Sequence, residues 1–262
     1  MVKFFNIPLS RTLATALLAT FVMTGSATTQ ANESGNLPKQ AWSFDGIFGS
    51  FDRAALKRGY QIYSEVCVSC HGLNLVAYRN LMDIGFTEDE VKEIAAEFEV
   101  QDGPDAEGEM FMRPALPSDR FVSPYPNTNA ARAGNNGALP PDLSLMAKAR
   151  AGGADYIYAL LTGYHEEAPE GHEVAEGMNY NDYFPGREIA MAPPLADESV
   201  EYTDGTPATL TQHASDIASF LTWTASPELE QRKSLGIKVI LFLIVWTGML
   251  YAWKVRIWKK LH

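Results

Sequence analysis

Apolar positions along this chain recur at helical spacing. After Asp52, the residues Ala55, Gly59, Ile62 and Val66 share one face at i, i+4, i+7 and i+11, which predicts a helix capped by Asp52 and running to about Val66. Gly59 on that face predicts the close crossing of a later helix, and Tyr60 and Tyr63 supply aromatic packing. Thr87-Glu88-Asp89-Glu90 is a capping box opening a helix to about Phe98, with Val91, Ile94, Ala95 and Phe98 as its apolar side. Asp142, after Pro140-Pro141, predicts a cap for a helix to Ala151, and Ala154–Gly163 predicts a second short helix. Thr211–Thr224 follows, with Ala214, Ile217, Ala218 and Leu221 on one face. Ser226-Pro227-Glu228 then combines a cap, a proline in the first turn and an acid near the positive helix end, opening a last helix.

Between these segments the periodicity fails. Asn32–Lys39 reads as a short mobile lead-in and Trp42–Gly49 as an aromatic, glycine-rich loop. Glu99–Glu109 is acidic and contains Gly103, Pro104 and Gly108, which predicts a solvated loop. Phe121–Gly137, rich in Pro, Asn, Ala and Gly, reads as an irregular but ordered wrap. Tyr164–Ile189 is a long loop with five Glu between 166 and 176. There is no internal repeat and little case for a sheet. The expected fold is mainly α, a domain with long irregular loops plus one C-terminal transmembrane helix.

That transmembrane segment is Leu235–Trp253, apolar except for Lys238, with Thr247, Gly236 and Gly248 tolerated. Nineteen helical residues span roughly 28 Å, about one hydrocarbon core. Lys238 lies within a turn of one end and can snorkel. Trp246, Tyr251, Trp253 and Trp258 cluster toward the other end, ahead of Lys254, Arg256, Lys259 and Lys260, which predicts a cytoplasmic tail. At the N-terminus, Lys3 and Arg11, the apolar Leu13–Met23 and the small residues before Ala31 read as a secretory signal, with Ala27 as a second cleavage position. The expected organisation is a cleaved signal over 1–31, an exported body over 32–231 and an anchor with a short basic tail over 232–262. In a bacterium this places the body in the periplasm and the single span in the inner membrane.

Charge sharpens this picture. The formal net charge is −11, yet from Arg232 onward there are seven Lys/Arg and no acid. Residues 32–231 therefore carry a formal −20. So acidic a body repels nucleic acid and suits a basic protein partner met by electrostatic steering.

The candidate chemistry lies in Cys67-Val68-Ser69-Cys70-His71, which contains both cysteines of the chain. C-x-x-C-H is the attachment sequence of a c-type haem: each thiol adds to one vinyl group, and the adjoining His71 supplies an axial imidazole. A redox dithiol does not need the histidine, a disulfide would leave it unused, and a zinc site would want a second ligand pair at fitting spacing. For the sixth iron ligand the residues leave several candidates. Met191 sits in Ile189-Ala190-Met191-Ala192-Pro193-Pro194-Leu195, where two prolines restrict the backbone. Met178 and Met146 come next. His165 and His172 lie in an acidic loop, and His213 is expected on the exposed face of its helix.

The chain resembles the cytochrome c1 family, the haem subunits of the ubiquinol–cytochrome c reductase (cytochrome bc1) complex. The residues that carry the resemblance are Trp42–Gly49 with Phe51-Asp52, Arg58–Tyr63 before the haem motif, Gly134–Ser144, Leu160–Tyr164, Asn181–Gly186, Met191–Leu195 and Asp204–Ala208. The resemblance implies one haem c bound covalently through Cys67 and Cys70, with His71 and Met191 as axial ligands. It further implies that Pro141 packs near the haem and that Arg150 and Tyr156 serve the propionates. Read alone, Arg150 would be a helix-end charge and Tyr156 a core residue. The implied function is one-electron transfer from a Rieske iron–sulfur subunit to a soluble basic cytochrome c, beside cytochrome b, with no catalytic acid or base and no enzyme activity of the subunit alone. Two other readings are a membrane-anchored cytochrome serving a different respiratory oxidoreductase, and a haem enzyme or sensor with an open iron site. Some bacterial relatives carry an additional cysteine pair in the haem domain. This chain has none, so the methionine loop is expected to rest on packing and prolines.

Overall fold

A computed structural model describes residues 37–259. The expected signal, its cleavage site, the first part of the lead-in and the last three residues fall outside them. Helix α1 spans Arg53–Glu65, and the Asp52 carboxylate accepts from the backbone N–H groups of Ala54 and Ala55. Its buried stripe is Leu56, Gly59, Tyr60, Ile62 and Tyr63, rotated from the expected face because the two tyrosines carry more apolar surface than Ala55. Helix α2 spans Glu88–Ala96 and closes the expected capping box, with Thr87 and Glu90 each satisfying the other's backbone N–H. The remaining helices are α3, Thr128–Gly134, α4, Met146–Ala149, α5, Ala154–Thr162, α6, Leu210–Ala225, and α7, Leu229–Trp258.

The core forms where α6 crosses α1. A Cβ at Gly59 would overlap the Asp216 carbonyl oxygen and lie 2.6 Å from the Phe220 Cβ, so only glycine allows the approach. Tyr60 and Tyr63 of α1 pack edge-on or tilted against Phe220 and Phe121, and Phe121 stacks on Tyr78 at 4.4 Å between centroids. Beside this apolar contact, buried Asp216 accepts two hydrogen bonds from Arg58, at 2.8 and 3.0 Å, and Arg58 also reaches Asp204 at 2.9 Å. A two-point guanidinium clamp of this kind offsets the cost of burying the carboxylate.

Three expectations need correction. Glu99–Asp102 (β1) pairs antiparallel with Phe111–Pro114 (β2), so the acidic stretch is a hairpin with Gly103, Pro104 and Gly108 in its connection. Arg113 ties it down by bridging Asp102 and Asp119. A second small pair, β3 (Asn179–Tyr180) with β4 (Glu188–Ile189), lies inside the long loop. Asp142 does not cap a helix to Ala151: its carboxylate accepts from the N–H groups of Asn74 and Ser144, and helical structure begins only at Met146. The fold remains mainly helical.

Helix α7 runs unbroken for 30 residues, about 45 Å, and its apolar window is unburied. Its first turns are tied to the body through Arg53–Glu230 and through Lys233, whose ammonium donates to the Phe44 and Gly49 carbonyls. This length, composition and exposure fit a membrane span.

Candidate haem-binding site

Two segments of different construction carry the predicted residues. The first begins where α1 ends. A single 3-10 turn, Cys67–Ser69, follows, and the N–H groups of Cys70 and His71 both donate to the Cys67 carbonyl, at 3.2 and 2.9 Å. The Tyr63 hydroxyl, one helical turn back, donates to the His71 carbonyl at 3.1 Å. The motif is thus a continuation of the core helix α1. Both cysteines are half-buried and are not joined to each other. Burial, with a lesser contribution from Cys70, pushes the Cys67 thiol up to about 12. A redox dithiol needs the opposite, a lowered thiol pKa.

His71 Nδ1 lies 2.7 Å from the Pro141 carbonyl oxygen. A carbonyl can only accept, so Nδ1 carries the proton and Nε2 keeps its lone pair. Burial lowers the imidazole pKa, against a smaller opposing effect of the Pro141 hydrogen bond and of Asp142, and so favours the neutral ring that a metal requires. Pro141 is held in turn. Leu143 N–H donates to the Gly72 carbonyl at 2.9 Å, Asn74 N–H to Asp142 at 2.8 Å and Leu75 N–H to the Ser144 hydroxyl at 3.1 Å. The resemblance implies a role for Pro141 at the site, and the structure adds that its carbonyl orients the imidazole.

The second segment contains Arg150, Tyr156 and Met191. Tyr156 is buried on α5; burial raises its hydroxyl pKa, while Arg150 beside it pulls the other way. Tyr156 is also within electrostatic reach of Tyr164, whose pKa burial raises strongly. The Tyr164 hydroxyl donates to the Met191 carbonyl at 3.1 Å, and the Asn179 amide donates to the Ile189 and Met191 carbonyls at 3.4 Å each. The methionine loop is therefore held by a tyrosine and an asparagine as well as by Pro193 and Pro194, which corrects the expectation of packing and prolines alone. Tyr164 and Asn179 were not singled out because nothing in their spacing pairs them with Met191.

The other candidates have separate employment. Met146 packs against the core. His165 pairs with Asp182 at 2.7 Å and His172 lies 3.5 Å from Glu188. His213 is fully buried, with Nδ1 3.2 Å from the Tyr202 hydroxyl, not on an exposed face. Helix α6 meets α1, α4 and α5 and has almost no solvent side at this level.

These residues fit a c-type haem: two thiols at attachment spacing, an imidazole with its outer nitrogen fixed and its inner one free, and a methionine in a braced loop. Leu139 and Leu145, on either side of the Pro141 segment, are 41% and 46% exposed and offer apolar cover for a ring.

Residues 42–261 match the model of the Cytochrome C1 family. Cytochrome c1 of Rhodospirillum rubrum is 53% identical over 246 residues, which is 88% of this chain and 90% of that protein. The mitochondrial cytochrome c1 heme protein of Saccharomyces cerevisiae is 52% identical over 221 residues, 84% of this chain and 72% of that one. A cytochrome b/c1 of Bradyrhizobium diazoefficiens is 46% identical over 255 residues, and the chain spans only 37% of its length.

Proposed function

The chain belongs to the cytochrome c1 family, and we propose that it carries one covalent haem c and passes single electrons from a Rieske iron–sulfur subunit to a soluble cytochrome c. Membership makes it a haem electron-transfer subunit of the cytochrome bc1 complex, where oxidoreductase activity belongs to the whole assembly. The single observation that supports the site best is the 2.7 Å hydrogen bond from His71 Nδ1–H to the Pro141 carbonyl, beside the Cys67 and Cys70 pair.

In this reading Cys67 and Cys70 would form the thioether links, and His71 Nε2 and the Met191 thioether would hold the iron. When bound, the haem supplies a one-electron iron couple whose potential His/Met ligation raises. The residues around it do three things. Pro141 fixes the imidazole, Tyr164 and Asn179 fix the methionine loop, and Arg150 with Tyr156 offers donors to the propionates. No group needs to move a proton.

The name of the Bradyrhizobium relative, cytochrome b/c1, supports cytochrome b as a neighbour. The acidic body supports a basic soluble acceptor. The exposed apolar α7 and the basic residues at its end support a single anchor over 232–262 with the 32–231 body on the periplasmic side. Purification in mild detergent tests the whole reading. The chain should keep its haem stain on a denaturing gel and bring cytochrome b and a Rieske subunit with it. Haem released into acid–acetone, or a different set of partners, contradicts it.

A further inference from the structure

The loop before α1 has a feature that haem binding leaves unused. Its base is rigid. Ser50 N–H donates to the Ser43 carbonyl and Asp45 N–H to the Trp42 carbonyl, each at 3.0 Å. Trp42 stacks on buried Phe44 at 5.5 Å and donates from its indole to Asp155 at 2.8 Å. A Cβ at Gly49 would overlap the Asp45 carbonyl oxygen, so the loop closes tightly on itself. Yet its tip, Ile47 and Phe48, is 67% and 86% exposed. A braced loop presenting two adjacent large apolar side chains to solvent is a candidate contact surface.

The attachment of this loop to α7 indicates which. Phe51 N–H donates to the Glu230 carboxylate at 2.7 Å, and Arg53 grips the same group at 2.7 and 3.1 Å. One turn further along the helix, Lys233 donates to the Gly49 carbonyl at 3.1 Å and the Phe44 carbonyl at 2.5 Å. Going back along the loop from 51 to 49 thus descends α7 from 230 to 233, about 4.5 Å toward its apolar stretch. Phe48 and Ile47 directly precede Gly49 in the loop, and the apolar stretch of α7 begins with Leu235, two residues past Lys233. Lys233 is spent on loop carbonyls and the loop's only charge, Asp45, receives the Trp42 N–H at 3.4 Å. The tip is left with apolar groups alone, on a loop fixed to α7 two residues before its apolar stretch.

We propose that the Ile47–Phe48 tip is a membrane-interface wedge that inserts into the lipid headgroup and upper acyl region beside α7, giving the haem-bearing body a second foothold. The inference rests on α7 crossing the membrane. One helix leaves a body free to swing about it. A second apolar contact, fixed to the same helix by Lys233 and Glu230, restricts that tilt and sets the height of the site above the bilayer.

The test uses the full chain with its co-purifying subunits, reconstituted in phosphatidylcholine and phosphatidylglycerol vesicles. These contain a trace of phosphatidylcholine bearing a photoactivatable diazirine high on one acyl chain. After illumination, peptide mass spectrometry should find lipid adducts on Ile47 or Phe48 and on α7, with none on residues 103–109 of the acidic hairpin. Ile47→Ser with Phe48→Ser should abolish the loop adducts while leaving those on α7 and the haem stain unchanged. Adducts on α7 with none on the loop overturn the proposal and show that water or a partner subunit covers the tip. Adducts on neither remove the membrane reading of α7 itself, and the wedge with it.

Discussion

The two halves of the site are built by opposite means. The Cys67–His71 half is written contiguously and continues a buried helix; five successive residues contain both thiols and the imidazole. The Met191 half lies in a loop, and its bracing comes from Tyr164 and Asn179, 27 and 12 residues away in sequence. The first half is secured by covalent chemistry once thioethers form. The second depends on individual hydrogen bonds, each worth about 1 kcal/mol net. A site of this kind should fail completely on one side and by degrees on the other.

The largest effect is expected from Cys67→Ala with Cys70→Ala. Without either thiol the chain should lose all covalent haem, seen as a blank haem stain at unchanged polypeptide mobility. Retained stain would place the attachment elsewhere.

A matched pair sharpens the contrast. Tyr164→Phe removes one brace from the methionine loop, so about 1 kcal/mol of lost bracing would raise the population of the open iron site about fivefold. The reduced variant should then bind carbon monoxide measurably. Ser144→Ala removes a comparable hydrogen bond from the His71 side, to the Leu75 N–H, and should leave carbon monoxide binding as in the parent. Equal gas binding by the two variants would erase the distinction.

The acidic surface should matter less, and only for encounter. Glu166, Glu167, Glu170 and Glu173 are exposed, and such charges are screened over about 8 Å at physiological salt. Neutralising all four should lower the second-order electron-transfer rate to a basic cytochrome c and flatten its fall with salt. Glu88, Asp89, Glu90 and Glu93 form the other patch to test. An unchanged rate in both sets would reduce the acidity to solvation.

The smallest effect concerns His213. Burial lowers its pKa from the ordinary 6.5, with Asp216 and Asp197 opposing. The unfolded chain therefore takes up this proton first as pH falls. His213 contributes nothing adverse above about 6.5, and its stability contribution is lost progressively from there down to its folded pKa. His213→Gln, which keeps a polar partner for Tyr202, should show a shallower decline of melting temperature below pH 6.5 than the parent. Parallel curves would assign the acid sensitivity to other groups.

How far the chain was legible follows the same division. Helices α1, α2, α5 and α6 were readable because caps and periodicity are local, and Gly59 predicted the close crossing of a later helix, which the structure identifies as α6. The β1–β2 hairpin was not, because its residues are mostly exposed and acidic and its pairing depends on Arg113 meeting Asp102 and Asp119. His213 was misplaced because one apolar face was counted on a helix that neighbours cover almost all round. At the site, C-x-x-C-H was plain, whereas the Pro141 carbonyl, the Tyr164 hydroxyl and the Asn179 amide act across long separations that no spacing rule encodes.

The central claim is that Met191 would be the reversible iron ligand of a haem that Cys67 and Cys70 hold covalently. It is tested most directly by the reduction potential and carbon monoxide binding of the haem-loaded Met191→Leu chain, measured in the same detergent as the parent. The account predicts a lower potential and ready gas binding in the variant, against a high potential and no gas binding in the parent, with haem stain equal in both. An unchanged potential with no gas binding in Met191→Leu would contradict it and move the sixth ligand to another residue.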